Sequence, residues 1–273
     1  NIIVEQINAS VPGLEIGPFH SPIFPKSEGY QVKIIDHAPK DELIKIAGDL
    51  RINPEHIARI EDVDFVWSGE PYKDLVGAER FEWIFASHVV EHVPDLIGFL
   101  NSCADILTDD GVLALAVPDK RYIFDRLRQQ SSLASVIDAH LEGHKKPTVG
   151  DIIECSLFVS DLHSDEHSKN IVSLLQPPTP ELLEQMKSTT DYTDAHVWVF
   201  GPSCFRLIVE ETHLLGLTKL REVSCGPVRH GEFFIFLSKR GCGPDIDRLT
   251  LANLAIFETS RLVPCKCRKL TKT

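Results

Sequence analysis

The sequence predicts an α/β protein built on a doubly wound, largely parallel sheet of seven strands, and three observations lead to this prediction. Short apolar segments alternate with segments of helical periodicity over the first half of the 273-residue chain. These strand segments are nearly all apolar, as is usual for a parallel sheet covered on both faces. The link GPVRHG between the last two strand segments is too short for a parallel crossover, so the last strand is predicted to be antiparallel to the rest.

The individual elements follow from the same patterns. The predicted strands are PGLEIG, YQVKIIDHA, DVDFVWSG, FEWIFASH and GVLALAVP, followed later by LTKLREVS and GEFFIFLSKR. Helices are predicted at DELIKIAGDL, DLIGFLNSCADIL and SCFRLIVEETHLLGL, where apolar residues recur at helical spacing. We also expect a helix over 121–144 and a final one over 245–260. The segment TDDG is expected to be a turn.

The chain is divided into one main domain, 1–240, and a C-terminal helix and tail, 241–273, that can lead to another domain. The regular alternation stops between about 125 and 195, where His, Asp and Pro are frequent. Long insertions of this kind are usually functional or mobile, so we expect a lid of helices and loops over the acceptor. The start at Asn1 rather than Met is expected of a piece of a longer, multidomain protein.

Composition excludes several classes of partner. The net charge is −12 and there is no basic stripe, which argues against nucleic acid. No apolar run is long enough to predict a membrane-spanning helix. The cysteines number seven, without disulfide-framework or zinc-ribbon spacing, and the Cys265–Cys267 pair has no second pair to match. Reduced thiols in a cytoplasmic protein are therefore expected.

Two parts of the chain together resemble a known family. The first holds LEIG, IIDHA and FEWIFASHVVEHVPDLIGFLNSCADILTDDGVLALAVP; the second is DAHVWVFGPSCFRLIVEETHLLGL. They resemble the core of class I S-adenosylmethionine-dependent methyltransferases, and most closely the small-molecule and sugar methyltransferases. The resemblance covers about 11–124 and 191–240. It implies a Rossmann-like fold, S-adenosylmethionine as cofactor, methyl transfer and a role in polysaccharide biosynthesis. The usual Gly-x-Gly loop is here GPFHS, and DDG replaces a double glycine.

The loop after the first strand separates this cofactor from a dinucleotide. A pyrophosphate is bound by the backbone amides of a G-x-G-x-x-G loop at a helix N-terminus. GPFHSP offers one glycine, and its prolines have no N–H to donate. The same loop is acceptable for the methionyl ammonium, which Glu15 would hold directly or through water. The alternative for Glu15 is a structural carboxylate paired with Lys or Arg.

Further cofactor contacts are expected at the tips of the second, third and fourth strands. Asp36 suits the two ribose hydroxyls as an acceptor, or else simply begins the following helix. Trp67 would stack on the adenine and Ser68 would hydrogen-bond to it, although Trp67 is equally consistent with a core position. The complete set of expected cofactor-binding residues is Glu15, Gly17, Pro18, His20, Asp36, His37, Trp67, Ser68, Ser87 and His88.

Methyl transfer to a hydroxyl needs a group that removes the proton, and histidine is well suited. His88, at the carboxyl end of the fourth strand, and His196, in DAHVWVF, are the first candidates, with Asp119 next. His92 is expected to be structural. Lys120, Arg121 and Tyr122 lie beside Asp119 in PDKRY and are expected to bind a small-molecule or glycan acceptor, with a solvated charged loop as the alternative.

Two histidine pairs in the insertion have metal-ligand spacing. His140 and His144, like His163 and His167, are four residues apart, which would place each pair on one helix face. Asp161, Asp165 and Glu166 accompany the second pair. A divalent cation assists some sugar methyltransferases, but no Glu-x-x-His motif or cysteine set fixes a geometry here. Solvated histidines are the favoured interpretation, and no metal site is predicted.

The sequence thus favours a methyltransferase that O-methylates a sugar or glycan intermediate. Two other functions stay open at this point: a non-catalytic partner-binding domain with the same fold, and a nicotinamide-dependent oxidoreductase.

Overall fold

A seven-stranded sheet forms the centre of the protein. The structure, a computed structural model, describes residues 7–160, 174, 176–188 and 192–260. The strands are β1 (Gly13–Ile16), β2 (Val32–Asp36), β3 (Phe65–Val66), β4 (Phe81–Ser87), β5 (Leu107–Pro118), β6 (Arg221–Cys225) and β7 (Glu232–Ser238). They lie in the order β3-β2-β1-β4-β5-β7-β6. The first five pair in parallel, and β7 is antiparallel to both of its neighbours. The predicted fold class is confirmed.

Helices connect and cover these strands. They are α1 (Lys40–Asp49), α2 (Pro54–Ile57), α3 (Tyr72–Val76), α4 (Leu96–Ile106), α5 (Leu133–Glu142), α6 (Val149–Leu157), α7 (Pro180–Ser188), α8 (Pro202–Leu214) and α9 (Arg248–Ser260). Single 3-10 turns occur at Lys26–Glu28 and Phe124–Leu127. Within the described part of the chain, no helix has the length and apolar character to cross a membrane.

The core lies on both faces of the sheet because side chains of a strand alternate in direction. On β7, Phe233, Ile235 and Leu237 belong to the large cluster that also holds α4 and α8 side chains. Phe234 and Phe236 belong to a second cluster on the opposite face. Phe24 belongs to that second cluster, as does Ile7 from the segment before β1, and Ala9 and Val11 pack against it.

The connection between β1 and β2 is not an α-helix. Apart from the 3-10 turn, residues 17–31 form a loop. Pro18, Pro22 and Pro25 explain the absence of a helix there, because proline has no N–H for an intrahelical hydrogen bond and clashes with the preceding turn. This loop closes over the carboxyl end of β1.

Two further predictions are wrong in detail. The helix expected over 121–144 begins only at Leu133, where Ser132 accepts a hydrogen bond from the Ser135 N–H (3.1 Å), and it ends at Gly143. The TDDG turn lies inside β5, as an irregularity where pairing with β4 jumps between Leu107 and Val112. In both places the local sequence pattern was outweighed by contacts with distant segments, which are β4 for TDDG and the Val199 carbonyl for Ser131.

The C-terminal helix packs against the main body. α9 places Ala255 in the large core cluster, and the Ala255 carbonyl accepts a hydrogen bond from Gln130 Nε2 (2.7 Å). Glu258 accepts a hydrogen bond from the Ser203 N–H at the start of α8 (2.9 Å). The domain division at 240 and the lid over 125–195 stay predictions. The candidate ligands His163, His167, Asp161, Asp165 and Glu166 lie outside the described residues, as do Cys265 and Cys267.

Candidate active site

The expected site residues gather at the carboxyl edge of the parallel strands. β1 has β2 on one side and β4 on the other. The connections that leave β1 and β4 therefore diverge, which opens a crevice of the kind in which α/β proteins bind ligands. Gly17 follows β1, and Ser87 and His88 follow from β4, so both sides of the crevice carry predicted site residues.

The loop after β1 is held in place by Glu15. Gly17 has a φ of 64°, and a Cβ there would lie 3.0 Å from a Val89 methyl group, so glycine is needed for both backbone conformation and space. Glu15 is 1% exposed. Its two carboxylate oxygens accept hydrogen bonds from the N–H groups of Ile23 (2.8 Å) and Phe24 (3.2 Å). Burial raises the pKa of Glu15 from 4.5 to about 7, and the two amide bonds act in the opposite direction. Glu15 is a positioning residue for this loop.

Asp36 joins the same loop to the tip of β2. One carboxylate oxygen accepts a hydrogen bond from the Phe19 N–H (3.1 Å), and the other accepts from the His37 N–H (2.8 Å). His37 Nδ1 lies 2.7 Å from that second oxygen, and this hydrogen bond raises the pKa of His37. A carboxylate has about four acceptor positions. A ribose hydroxyl would therefore take the remaining position on Asp36, or replace the exposed imidazole of His37.

The other residues expected around the cofactor have partners of their own. The carbonyl of Pro18 accepts from the Ser21 N–H (2.8 Å), and His20 Nδ1 lies 2.9 Å from Ser21 Oγ. Both contacts are made within the loop. The cofactor contacts of Pro18 and His20 stay predictions.

Trp67 and Ser68 both contact Glu70. Trp67 Nε1 donates to the Glu70 carbonyl (2.7 Å), and the ring packs edge-on to Tyr72 against the large core cluster. Ser68 donates to the Glu70 carboxylate from its N–H (3.0 Å) and from its hydroxyl (2.8 Å). Trp67 is partly buried against the core, and adenine stacking stays a prediction.

His88 adopts an unusual backbone conformation at the end of β4. Its φ of 53° lies in the left-handed region, which costs a non-glycine residue about 1–2 kcal/mol. Its N–H donates to the Ala116 carbonyl (3.0 Å), which fixes it against β5. The imidazole is half exposed, with Nε2 3.0 Å from Glu232 and Nδ1 3.5 Å from Glu91. The hydrogen bond with Glu232 raises the pKa of His88.

A cluster that the sequence did not predict as a site lies next to His88. Glu91 is 1% exposed, and neither carboxylate oxygen has a hydrogen-bond partner among the described residues. Burial raises its pKa. One nitrogen each of His92 and His196 and one oxygen of Glu91 lie within 4.8 Å of one another. The two imidazoles meet edge to face, with ring centroids 4.6 Å apart. The sequence contained Glu91 and His92 in VVEH, but His92 was expected to be structural and Glu91 was not considered.

Each imidazole of this cluster is oriented by a carboxylate that binds its Nδ1. His92 Nδ1 is hydrogen-bonded to Asp194 (2.9 Å), and His196 Nδ1 is hydrogen-bonded to Asp125. Asp125 is fully buried and paired with Arg128 (3.0 Å). The segment that carries His196 reaches the cluster because the Glu91 carbonyl accepts hydrogen bonds from the next two amides, at 197 and 198.

The expected acceptor-binding loop is largely buried. Asp119 is 0% exposed, and its two oxygens accept hydrogen bonds from Arg121 Nε at 2.9 and 3.0 Å. Lys120 is also buried, its Nζ donates to the Arg126 carbonyl (3.3 Å), and burial lowers its pKa. These contacts argue against Asp119 as a base and against Lys120 as an acceptor ligand, since both groups are already engaged inside the protein. Arg121 lies over the exposed ring of Tyr122, and their roles stay predictions.

The first histidine pair of the insertion does not share a helix face. α5 ends at Glu142, and Gly143 has a φ of 68°, so His144 lies beyond the helix. His140 is hydrogen-bonded to Asp95 (2.9 Å), whereas His144 is hydrogen-bonded to Glu142 (2.8 Å). The two imidazoles therefore serve different partners.

The charges at this edge fit a cationic cofactor. Glu15, Asp36, Glu91 and Glu232 lie at or close to the strand ends on this edge of the sheet, whereas a pyrophosphate needs positive charge and free backbone N–H groups. The ammonium and sulfonium of S-adenosylmethionine are the charges that such a site favours. The residues present thus fit this cofactor better than a dinucleotide.

Comparison with known proteins gives one family match and several similar solved structures. Residues 14–151 match the family described as "Methyltransferase domain". No curated protein matches the chain. Among solved structures, the CcbJ methyltransferase from Streptomyces caelestis is similar, with 12% identity, a TM-score of 0.46, and coverage of 87% of this chain and 92% of that one. The glycopeptide N-methyltransferase MtfA with sinefungin has 12% identity, a TM-score of 0.43, and coverage of 88% and 85%. The DhpI-SAM-HEP complex has 15% identity, a TM-score of 0.40, and coverage of 86% and 82%.

The family match covers just over half of the chain and sets aside the nicotinamide-dependent oxidoreductase. Together with the strand order and the antiparallel last strand, it identifies the chain as a member of the methyltransferase-domain family, in the class I S-adenosylmethionine-dependent group.

Proposed function

We propose that this methyltransferase transfers the methyl group to a hydroxyl oxygen of a sugar or glycan intermediate, with His88 as the general base. The observation that carries this proposal is the position of His88. It stands in a strained left-handed conformation at the end of β4, and its imidazole is aligned by Glu232. Strain of this kind persists only where the surrounding structure fixes the residue, and it clusters at active sites.

The cofactor would be held on the β1–β2 side of the crevice. Glu15 fixes the loop, Gly17 leaves room for close approach, and Asp36 offers its remaining acceptor position to the ribose. When bound there, S-adenosylmethionine supplies a methyl carbon that is activated by its attachment to a sulfonium. The protein's own task is to orient the acceptor oxygen and to remove its proton.

His88 is placed to take that proton. With its Nε2–H donated to Glu232, the neutral imidazole keeps a lone pair on Nδ1 that can accept the hydroxyl proton of the acceptor. Glu232 then stabilises the imidazolium that results, because a carboxylate 3.0 Å away favours the charged ring. His196 is the weaker candidate, since its side chain is only 11% exposed, against 49% for His88, and its ring packs against Phe124.

The insertion supports a polar, partly anionic acceptor. A cleft of about 250 Å³ lies between α6 and α7, and His144, Lys145 and Lys146 contribute to its wall. Thr193, on the same wall, adjoins Asp194, which orients His92 in the site. A sugar that carries a carboxylate or phosphate would find cationic groups there. We propose that the insertion at 125–195 is the acceptor lid of the domain 1–240, with Arg121 and Tyr122 at its edge.

The test is a panel of nucleotide sugars and oligosaccharides with methyl-labelled S-adenosylmethionine. We expect O-methylation of a sugar, and a loss of turnover of about 100-fold or more in His88→Ala, with cofactor affinity kept. His213→Ala, on α8 and outside the site, is the matched control. Full turnover in His88→Ala would exclude His88 as the base. Binding of S-adenosylmethionine without turnover on any acceptor would favour the non-catalytic partner-binding domain.

A role in polysaccharide biosynthesis follows from this acceptor class and belongs to the same proposal. The cysteines are odd in number and irregularly spaced, as expected of reduced thiols. We therefore propose that the protein works in the cytoplasm.

A further inference from the structure

We propose that Glu91, His92 and His196 bind a divalent cation of the first transition row, such as Mn²⁺, Co²⁺ or Zn²⁺, and that this cation holds two adjacent oxygens of the acceptor. The site itself is inferred from the contacts of these three residues. The acceptor role rests on the proposed function above.

The first step is the isolation of the Glu91 carboxylate. It is 1% exposed, yet both oxygens lack a hydrogen-bond partner in the described part of the chain. Two imidazole nitrogens lie within 4 Å of one of these oxygens, His88 Nδ1 at 3.5 Å and His92 Nε2 at 3.9 Å. Burying an unpaired carboxylate costs several kcal/mol, so such groups are normally paired or coordinate a metal.

The second step is the orientation of the two imidazoles. His92 and His196 each use Nδ1 to bind an aspartate, Asp194 and Asp125 respectively. Nε2 of each ring is then left with a lone pair. Metal-ligating histidines almost always have this arrangement, in which a carboxylate holds the far nitrogen and fixes the tautomer. Two copies of it converge on one buried glutamate.

The third step concerns the kind of cation. Two imidazoles and one carboxylate are a mixed nitrogen and oxygen set, which favours first-row transition ions over Mg²⁺ or Ca²⁺. The three ligand atoms lie within 4.8 Å of one another. Neighbouring ligands about 2.1 Å from one ion lie roughly 3.0–3.4 Å apart, so binding would draw the most widely separated pair of ligand atoms together by about 1–2 Å. Three protein ligands leave coordination positions open.

The open positions explain why a cation would be useful here. His88, the proposed base, lies 3.5 Å from Glu91, so an acceptor oxygen on the cation would lie beside it. A sugar with two neighbouring hydroxyls can occupy two positions at once, and a bound cation orients such a pair. The inferred substrate class is therefore an acceptor with vicinal oxygens, and one of them is methylated.

The site can be tested with the metal alone. After treatment with EDTA, the full chain is titrated with Co²⁺ and followed by visible absorption, and with Mn²⁺ and Zn²⁺ by calorimetry. We expect one cation per chain, and affinity at least about 100-fold weaker in Glu91→Gln, His92→Ala and His196→Ala. Asp194→Asn, which acts through His92, should weaken binding about 10-fold. His213→Ala should bind as the wild type does.

Thermal unfolding gives a second readout that separates binding from misfolding. Without metal, Glu91→Gln should melt at a higher temperature than the wild type, because it removes an unpaired buried charge. Cations should raise the melting temperature of the wild type and not that of Glu91→Gln. Failure of the wild type to bind any of the three cations, or unchanged Co²⁺ binding in the ligand variants, would overturn the site.

The acceptor role has its own outcome. Turnover on a sugar that is lost with EDTA and restored by Mn²⁺, Co²⁺ or Zn²⁺ supports it, and equal turnover of the metal-free enzyme overturns it. Cation binding that is lost in the ligand variants supports the site even if no sugar is methylated, in which case the proposed acceptor class alone fails.

Discussion

Replacing Glu15 by glutamine changes the buried charge beneath the cofactor loop and little else. The carboxylate is 1% exposed, and each oxygen accepts one backbone N–H of the loop after β1. Glutamine keeps the size and one acceptor oxygen but cannot ionise. The cost of the lost hydrogen bond is independent of pH, so the pH dependence of the difference isolates the charge.

The magnitude follows from the pKa of Glu15. Burial raises it from 4.5 to about 7, so the folded state binds this proton more tightly than the unfolded state does. The stabilisation from the protonated form is complete below pH 4.5 and is lost as the pH rises through about 7. A difference of about 2.5 pH units corresponds to about 3 kcal/mol.

Urea unfolding at a series of pH values from 4.5 to 8 measures this difference. We expect the free energy of unfolding of Glu15→Gln to gain about 3 kcal/mol relative to the wild type as the pH rises over this range. Glu28→Gln, at an exposed position in the same loop, controls for the loss of one negative charge. Parallel curves for wild type and Glu15→Gln would refute the assignment of a raised pKa to this residue.

Three other predictions concern single contacts. Asp36→Ala should weaken S-adenosylmethionine binding by about 1–3 kcal/mol in calorimetry through the loss of charge-assisted hydrogen bonds, and unchanged affinity with an intact fold would remove Asp36 from the site. Gly17→Ala, at a φ of 64°, should lower the stability by about 1–2 kcal/mol and should also weaken cofactor binding. Gly29→Ala, at a φ of 91° with open space around it, should lower the stability alone. Equal losses of cofactor affinity in the two variants would contradict this. Asp119→Asn should lower stability by about 3 kcal/mol, because Arg121 loses its buried partner, while the folded enzyme keeps its kcat; a selective loss of kcat would restore Asp119 as a base.

The fold was predictable because its signals are local. Apolar strands, helical periodicity and the length of the GPVRHG link are each contained in a short segment, and they led to the observed sheet. Errors occurred where long-range packing decides the conformation. The helix expected over 121–144 gives way before Leu133 because the chain there pairs with a distant segment, with the Ser131 N–H bound to the Val199 carbonyl (2.9 Å).

The site was predictable to the same extent. Gly17 and His88 follow strands and Asp36 ends one, so their position at the carboxyl edge came from the strand assignment alone. The cluster of Glu91 and His196 joins residues more than a hundred positions apart, and no spacing in the sequence connects them. The burial of Asp119 likewise depends on where the loop packs, which charge patterning cannot reveal.

The contrast between paired and unpaired buried charges argues that the carboxyl edge is where the protein's function lies. Away from the crevice, buried carboxylates are neutralised by arginine, as Glu222 is by Arg206 at 2.7–3.1 Å. At the crevice, Glu15 binds backbone amides and Glu91 has no hydrogen-bond partner among the described residues. His88 adds backbone strain at the same edge. Local rules of stability are broken where a sequence is selected for something else. A cationic cofactor beside Glu15 and a metal ion beside Glu91 would each supply the missing positive charge.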